Sequence, residues 1–317
     1  MLLHVTHETR YAYTPAVSMA QHMAHVRPLD SASQQVLSHR LEIHPAPAQR
    51  SESTDAFGNL RTFFTLEATH DELCVVAHSV VRTAPQGLPD AHARAVAWED
   101  VREAFRFRKG ARYDHAAQFV FASQHVPVHK DFAAYARPSF APGRALFDAA
   151  LELTRRVHDE FSYESDSTEI NTPAVEALAQ RRGVCQDFAH IMIGCLRSLG
   201  LPARYVSGYL LTQPPPGQPR LVGADASHAW VSAYLPGADG PGNWVDLDPT
   251  NGRLRGEDYV TVAIGRDFSD VSPMRGVLRG GAQHSLAVGV TVSPGEDAPA
   301  VTAAIGADGH QPKDIST

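Results

Sequence analysis

The first eighty residues alternate apolar and polar positions and are rich in β-branched and aromatic side chains. Such alternation is typical of strands with one buried face, and turn-forming clusters such as 55–59 separate the segments. Four strands are predicted, at residues 2–13, 39–46, 60–70 and 73–83. A run of antiparallel strands of this kind predicts a small all-β sandwich or barrel at the start of the chain.

Helical periodicity replaces this alternation in the second half of the chain. After a proline-broken stretch at residues 93–145, apolar residues recur every three or four positions along 145–161. A Thr-Pro pair at 172–173 is typical of a helix start, and a third, mostly apolar helix is predicted at 184–199. Further strands are predicted at residues 203–211, 228–235, 243–249 and 284–292.

These patterns divide the chain into an all-β region and a later region that mixes helices with strands. The predicted domains are residues 1–84 (β-rich), 85–144 (linker and helical segment), 145–293 (core with a C-terminal strand) and 294–317 (loose tail). Small and polar residues after Pro294 are the reason for the last of these. The predicted fold class is therefore α+β, in which helices pack on an antiparallel sheet.

Composition and charge exclude several classes of function. Asp and Glu outnumber Lys and Arg by 35 to 28, a net charge of −7, which argues against nucleic acid and anionic membranes as partners. No apolar run approaches membrane-spanning length, and the first residues lack a basic start, so neither a membrane span nor a secretory signal is predicted. Three cysteines without a CxxC spacing favour a reducing, cytoplasmic setting and argue against a disulfide framework or a structural zinc site.

One of the three cysteines occupies a position that favours reactivity. Cys185 lies in the first turn of the predicted helix 184–199, where the helix dipole and unpaired backbone N–H groups favour the thiolate. The same N–H groups are suited to hold an oxyanion. Cys195 lies on the apolar stripe of this helix and Cys74 lies in a strand, so both are predicted to be core residues. A small buried filler is the alternative interpretation of Cys185.

A histidine and an aspartate are predicted to meet across a hairpin. The strands that carry them are separated by the turn sequence PGADGPG, and a hairpin centred near residue 238 pairs His228 with Asp248. The carboxylate would then hold the Nδ1–H of the imidazole and leave Nε2 facing a thiol. A register shifted by two would offer Asp246 instead. A surface histidine and a turn-capping aspartate form the non-catalytic alternative.

The motifs GVCQDFAH, SHAW and DLDPTNG, in that order, resemble those of the bacterial transglutaminase-like superfamily of cysteine proteases and acyl transferases. The resemblance covers residues 145–270, and residues 1–82 look like the β-rich region that often precedes this core in bacterial members. It implies a papain-like α+β core, with a helix-borne cysteine packed on an antiparallel sheet, after a small all-β domain. It also implies a Cys–His–Asp triad of Cys185, His228 and Asp248, because the family's DPT motif favours the second aspartate of DLDP.

The motifs and the resemblance together predict acyl transfer through a thioester. Cys185 would attack an amide carbonyl of a peptide bond or a glutamine side chain, His228 would protonate the departing amine, and water would cleave the thioester. Hydrolysis by a protease or amidase is favoured, since nothing in the sequence marks a site for an acceptor amine. The alternatives are transamidation, a non-catalytic binding module that keeps the fold, and a zinc site built from the same three side chains.

Further expectations concern the surroundings of these residues. Gln180 and Trp230 are candidates for a second oxyanion donor, and the proline-rich residues 212–227 are predicted to form the rim of a cleft. Asp225, within that rim, is interpreted as a solvated loop residue. No cofactor and no metal is expected, because the acidic residues are dispersed and no EF-hand-like loop is present. The expected partner is a peptide or protein substrate, and the oligomeric state is left open.

Overall fold

Two antiparallel sheets and one central helix organise the molecule. The structure, a computed structural model, describes residues 1–110, 113–164, 172–212, 227–237, 242–281 and 283–295. One sheet holds strands from both ends of the chain, and the other lies against the central helix. The predicted α+β class and the strand-rich N-terminal region are both confirmed.

The N-terminal sheet is built around one long strand. Its sequential strands are β1 (Leu2–Ala24), β2 (Gln34–His44), β3 (Gln49–Thr54), β4 (Leu60–Leu66) and β5 (His70–Thr83). The first half of β1 pairs with β5, and its last residues pair with β4, which gives the order β2-β5-β1-β4-β3. Alternate side chains along the first half of β1 are buried, as a strand period of two requires. None of the side chains of β3 is buried. The segment therefore lacks the alternation of apolar and polar residues from which a strand could be predicted.

Mostly short helices follow this sheet. They are α1 (Ala91–Ala95), α2 (Trp98–Ala104), α3 (Lys130–Ala136), α4 (Leu146–Glu160), α5 (Ala174–Gln180) and α6 (Cys185–Ser198), with 3₁₀ turns at His115–Val120 and Arg137–Ser139. Two-residue strands, β6 (Ser162–Tyr163) and β7 (Arg182–Gly183), pair in parallel just before α6. The helices α4 and α6 begin and end within one residue of their predicted bounds. Within the described ranges, none of the helices combines the length and apolar character that crossing a membrane requires.

The second sheet carries the hairpin on which the candidate histidine and aspartate lie. Its strands are β8 (Ala203–Leu210), β9 (Ser227–Leu235), β10 (Asn243–Asp248), β11 (Arg253–Leu254) and β12 (Tyr259–Gly265), followed by the helical turn α7 (Phe268–Val271). They pair antiparallel in the order β11-β10-β9-β8-β12. Helix α6 packs on β8 and β9 and is buried on every side from Asp187 to Arg197. A helix-borne cysteine packed on an antiparallel sheet is thus the observed arrangement.

The last strands return to the N-terminal sheet. They are β13 (Met274–Gly280) and β14 (Gln283–Pro294), and both pair with β1. The sequence prediction counts the C-terminal strand with the 145–293 core, whereas β14 lies antiparallel to Leu3–Thr14 of β1. Val290 and Val292 of β14 join the hydrophobic core that also contains α4 and α6. The two ends of the chain therefore tie the sheets together, and residues 296–317, most of the predicted tail, lie outside the described part.

Buried neutral histidines make the stability of this fold sensitive to acid. His7 on β1 lies against Tyr209 on β8, with Nδ1 and the hydroxyl oxygen 2.8 Å apart, and burial lowers its pKa to about 4. Burial also lowers the pKa of His22 to about 4. An unfolded histidine takes up its proton near pH 6.5, so the unfolded chain binds more protons than the native one between about pH 6.5 and 4.

We expect the urea midpoint to fall as the pH is lowered from about 7.5 to about 5, because protons then favour the unfolded chain. His22→Phe is the informative variant. The His22 ring stacks on Phe64 at 5.2 Å, and neither of its nitrogens has a hydrogen-bond partner among the described residues. The variant should keep the midpoint at neutral pH and lose part of the acid-induced fall; an equally steep fall would show that His22 does not contribute.

Candidate active site

Cys185 begins helix α6 at a tightly constructed N-terminus. The Asp187 carboxylate accepts a hydrogen bond from the Val184 backbone N–H at 2.9 Å, which closes the first turn. A Cβ on Gly183 would lie 2.6 Å from Asp187 Oδ2, so only glycine fits the approach to this turn. The Cys185 side chain is half-buried, in contrast to Cys195 of the same helix, which is fully buried. The helix start therefore leaves a half-buried thiol in the first turn of α6, at the positive end of the helix dipole, as the sequence predicts.

His228 and Asp248 meet across the hairpin, although the predicted register is wrong by two residues. Asp246 lies opposite Ser232 in the structure, whereas the predicted register places it opposite Trp230. Strand β9 ends at Leu235 and β10 begins at Asn243, so the midpoint between the two strands is 239 rather than 238. His228 and Asp248 are consequently diagonal neighbours, a spacing that a long side chain can still bridge. The His228 Nε2 atom lies 2.7 Å from Asp248 Oδ2.

The two ring nitrogens of His228 have the reverse of their predicted roles, in which Nδ1 bonds to the carboxylate and Nε2 faces the thiol. Nε2 holds the carboxylate, which leaves Nδ1 as the nitrogen available to a thiol. The diagonal register explains the exchange, because the carboxylate approaches the far side of the imidazole rather than the side next to the backbone. The Cys185 side chain lies close enough to the His228 ring to contribute to the rise in its pKa. The structure thus joins His228 to Asp248 by a hydrogen bond and places Cys185 near the same ring.

Asp248 is fully buried and accepts an unusually complete set of hydrogen bonds. Oδ1 accepts the backbone N–H groups of Thr250 at 2.8 Å and Asn251 at 3.2 Å. Oδ2 accepts the His228 ring, the Asn251 side-chain amide at 2.6 Å and the Tyr259 hydroxyl at 2.6 Å. Neither Asn251 nor Tyr259 is predicted from the sequence as a site residue. The DPTNG turn is a signal that could have pointed to Asn251, whereas the strand that carries Tyr259 was not predicted at all.

His228 and Asp248 each stabilise the charged form of the other. Burial alone lowers the pKa of His228, but hydrogen bonds and charges from Asp248 and Cys185 outweigh burial and raise it above its ordinary value. Burial alone raises the pKa of Asp248, but hydrogen bonds from His228, Asn251 and Tyr259 lower it below its usual range. The favoured state is therefore a protonated His228 imidazole paired with the ionised Asp248 carboxylate.

Comparison with known proteins identifies the family. Residues 3–82 match the bacterial transglutaminase-like N-terminal region, and residues 133–249 match the transglutaminase-like superfamily. The chain is 40% identical over 295 residues to an uncharacterized protein of Mycobacterium tuberculosis, covering 92% of this chain and 92% of that protein. The chain belongs to the transglutaminase-like superfamily. The match to the superfamily includes Cys185, His228 and Asp248, but it ends before Tyr259.

Two further relatives show how far the likeness of this transglutaminase-like chain extends. A crystal structure of a candidate cysteine protease from Cytophaga hutchinsonii covers 92% of this chain and 90% of its own, with a TM-score of 0.69 and 21% identity. That likeness supports the fold. A protein-glutamine gamma-glutamyltransferase of Pseudomonas aeruginosa is 32% identical over 117 residues, which are 36% of this chain and 17% of that protein.

Asp246, the alternative acid, has a different set of partners in this transglutaminase-like chain. Its Oδ1 accepts the Ser232 hydroxyl, and Arg255 Nε lies 3.0 Å from Oδ2. Its backbone N–H and C=O both bond to the Gln86 side-chain amide, at 2.9 and 2.7 Å. Asp246 therefore anchors the linker and a buried arginine to the sheet, and Asp248 is the carboxylate that reaches His228.

The two candidates for a second oxyanion donor, Gln180 and Trp230, lie in different surroundings. The Gln180 amide donates to Glu176 at 2.8 Å on the exposed surface of α5. Trp230 is fully buried beneath His228, with its ring centroid 6.1 Å from the imidazole and 5.3 Å from the Tyr259 ring. A Cβ on Gly208 would lie 2.5 Å from the Trp230 ring, so glycine there makes room for the indole. The Trp230 ring thus supports the histidine, and its buried indole N–H has no hydrogen-bond partner among the described residues, so its role as a second donor stays a prediction.

Most of the predicted cleft rim cannot be compared with the structure. Residues 213–226, including Asp225, lie outside the described part of the chain, so the rim stays a prediction.

For zinc, three ligands must point at one centre, whereas His228 Nε2 and Asp248 Oδ2 point at each other. Across the described ranges, no group of three or more His, Cys, Asp or Glu side chains is arranged to hold a metal ion.

Proposed function

We propose that this chain is a cysteine-dependent amide hydrolase of the transglutaminase-like superfamily that acts on peptide or glutamine-type amides. The observation that carries the proposal is the hydrogen bond between His228 and the buried Asp248 carboxylate, on a ring that lies near the Cys185 thiol at the start of α6. A thiol at a helix N-terminus, an imidazole within reach and an acid behind the imidazole are the three parts that nucleophilic catalysis by cysteine requires.

In the proposed reaction, Cys185 passes its proton to His228 and attacks the amide carbonyl as a thiolate. The carbonyl oxygen becomes an oxyanion, which the positive N-terminal end of α6, where Cys185 lies, would stabilise. The carbon–nitrogen bond breaks as His228 returns the proton to the departing amine, and a thioester on Cys185 remains. His228 then takes a proton from water, whose oxygen attacks the thioester and releases the carboxylic acid and the free thiol.

Transamidation is the second candidate for the same site. It is favoured by the partial likeness to a protein-glutamine gamma-glutamyltransferase, and it differs only in the last step, where a primary amine replaces water. Water is the more abundant acceptor, so an enzyme that prefers an amine needs a cleft that binds the amine and excludes water. Hydrolysis needs no such additional site and is the primary proposal.

A mixed library of peptides, some containing glutamine, tests the proposal when it is incubated with the protein in the presence and absence of a small primary amine. Mass spectrometry then distinguishes peptide cleavage, glutamine deamidation and amine incorporation. We expect cleavage or deamidation from the wild type and no product above background from Cys185→Ala, while Cys74→Ala, which removes a cysteine remote from α6, keeps full activity.

The other outcomes of the library experiment are equally informative. Amine incorporation as the main product would replace the hydrolase proposal with the transamidase. Products formed equally well by Cys185→Ala would contradict both. Peptides that bind the wild type reproducibly without any change in mass would indicate a binding module that keeps the fold and has no turnover.

A further inference from the structure

Three hydrogen-bond donors converge on one oxygen of Asp248. Oδ2 lies 2.7 Å from His228 Nε2, 2.6 Å from Asn251 Nδ2 and 2.6 Å from the Tyr259 hydroxyl. A carboxylate oxygen that serves three donors shares its negative charge among them, so each donor receives less than it would alone. The histidine therefore competes with two other groups for the acid that supports it.

Tyr259 is the most firmly held of these competitors. Its side chain is fully buried on β12, and its ring meets the Trp230 ring edge-on at 5.3 Å. The Arg253 guanidinium lies over the other part of the ring, 4.9 Å from its centroid, and is itself held by Asp258 at 2.5 Å. A cation over an aromatic face draws electron density from the ring, which makes the phenol a stronger donor. Arg253 thus reinforces the bond from Tyr259 to Asp248.

We propose that Tyr259 is a positioning residue that limits how strongly Asp248 stabilises the protonated form of His228. The inference rests on the proposed function, because it concerns the residue behind the proposed acid. A histidine held too tightly as an imidazolium is a poor proton donor to the departing amine, and one held too loosely cannot maintain the thiolate. Tyr259, supported by Arg253, sets the balance between these two requirements.

The other groups near His228 and Asp248 do not duplicate the role proposed for Tyr259. Asn251 bonds to the same oxygen but is exposed to solvent, so water can replace its amide when it is removed. Among the described residues, charged side chains that interact with Asp248 or Tyr259 include Arg253 and Asp258, and the Thr250 carbonyl next to this site bonds to His158. The raised pKa of His228 comes from interactions with Asp248 and Cys185.

The pH dependence of Cys185 alkylation by iodoacetamide is the readout, because it follows the thiolate and needs no substrate. Tyr259→Phe removes one donor and leaves the ring in place. More of the Asp248 charge then reaches His228, and the thiolate–imidazolium pair forms at lower pH. We expect the pH of half-maximal alkylation to fall by about half a unit to one unit, the equivalent of one hydrogen bond. Asp248→Asn should move it in the opposite direction.

Two variants keep this test decisive. Tyr209→Phe is the matched control, since it also removes a buried hydroxyl from the same sheet, but that hydroxyl bonds to His7; its alkylation profile should equal that of the wild type. Arg253→Gln should shift the profile in the same direction as Tyr259→Phe by a smaller amount, and it carries the test if the phenylalanine variant does not fold.

The possible results distinguish a failure of the proposal for Tyr259 from a failure of the proposed hydrolase function. An unchanged profile in Tyr259→Phe, or an upward shift like that of Asp248→Asn, would overturn the inference, since Tyr259 would then only fill space or only hold the carboxylate in place. If wild-type Cys185 is no more reactive than the other cysteines, the proposed function itself fails, whatever Tyr259 does.

Discussion

Asp248→Asn lowers turnover by about three to four orders of magnitude in our account, the loss seen when the acid of a triad becomes an amide. The asparagine keeps the shape of the side chain but loses the charge that stabilises the imidazolium. Its amide can also present an N–H to Nε2, which would favour the wrong tautomer of His228. The value of kcat/KM for a peptide found in the library experiment measures the effect, and an unchanged circular dichroism spectrum checks that the fold is intact.

Asp246→Asn is the matched control for this prediction. Both aspartates lie on β10, two residues apart, but Asp246 bonds to Ser232 and Arg255 instead of His228. Because Arg255 is buried, loss of its charged partner should cost about 1–3 kcal/mol of stability. Turnover of the folded variant should stay within a few-fold of the wild type. If Asp246→Asn were the more damaging substitution for turnover, the wrong carboxylate would have been assigned to the histidine.

The elements that carry the candidate residues are the ones that the sequence predicts best. Helix α6 has a periodic apolar pattern, and β9 and β10 flank a turn sequence rich in glycine and proline. Each of these signals is local, and local signals are what periodicity can reveal. The predicted contact between His228 and Asp248 follows from the hairpin. It is correct even though the predicted register is wrong by two residues, because diagonal neighbours on one face of a sheet are also within reach of each other.

The parts that the sequence does not reveal depend on contacts between distant segments. Strand β12 pairs with β8 across about fifty residues of chain, and no local pattern indicates that its tyrosine reaches Asp248. The pairing of β14 with β1 joins opposite ends of the chain. Which nitrogen of His228 holds the acid also depends on the exact register, because a diagonal and a direct neighbour approach different sides of the ring.

Selective alkylation of Cys185 is the second large effect that we expect. The three cysteines have different surroundings. Cys195 is fully buried, and burial strongly raises the pKa of its thiol. Cys74 is half-buried, and burial together with the nearby Glu8 carboxylate raises the pKa of its thiol as well. Among the described residues, Cys185 is the cysteine that lies near an imidazole, His228, and we propose that this ring takes the thiol proton.

At about pH 6 an ordinary thiol is almost entirely protonated and reacts slowly with iodoacetamide. The ion pair at Cys185 removes that restriction, so we expect Cys185 to react faster than Cys74 and Cys195 by about two orders of magnitude. Asp248→Asn should reduce this advantage, because it weakens the imidazolium. Addition of a chelator should leave the rate unchanged, whereas a chelator-dependent rate would indicate that the three side chains bind a metal.

The most direct test of the account is therefore the site of first alkylation. The folded wild-type protein is treated with a limiting amount of iodoacetamide at about pH 6, and peptide mapping by mass spectrometry gives the extent of modification at each of the three cysteines. The account predicts that nearly all of the label is on Cys185. Label distributed evenly, or found first on Cys74, would contradict the claim that Cys185, His228 and Asp248 form an activated nucleophile.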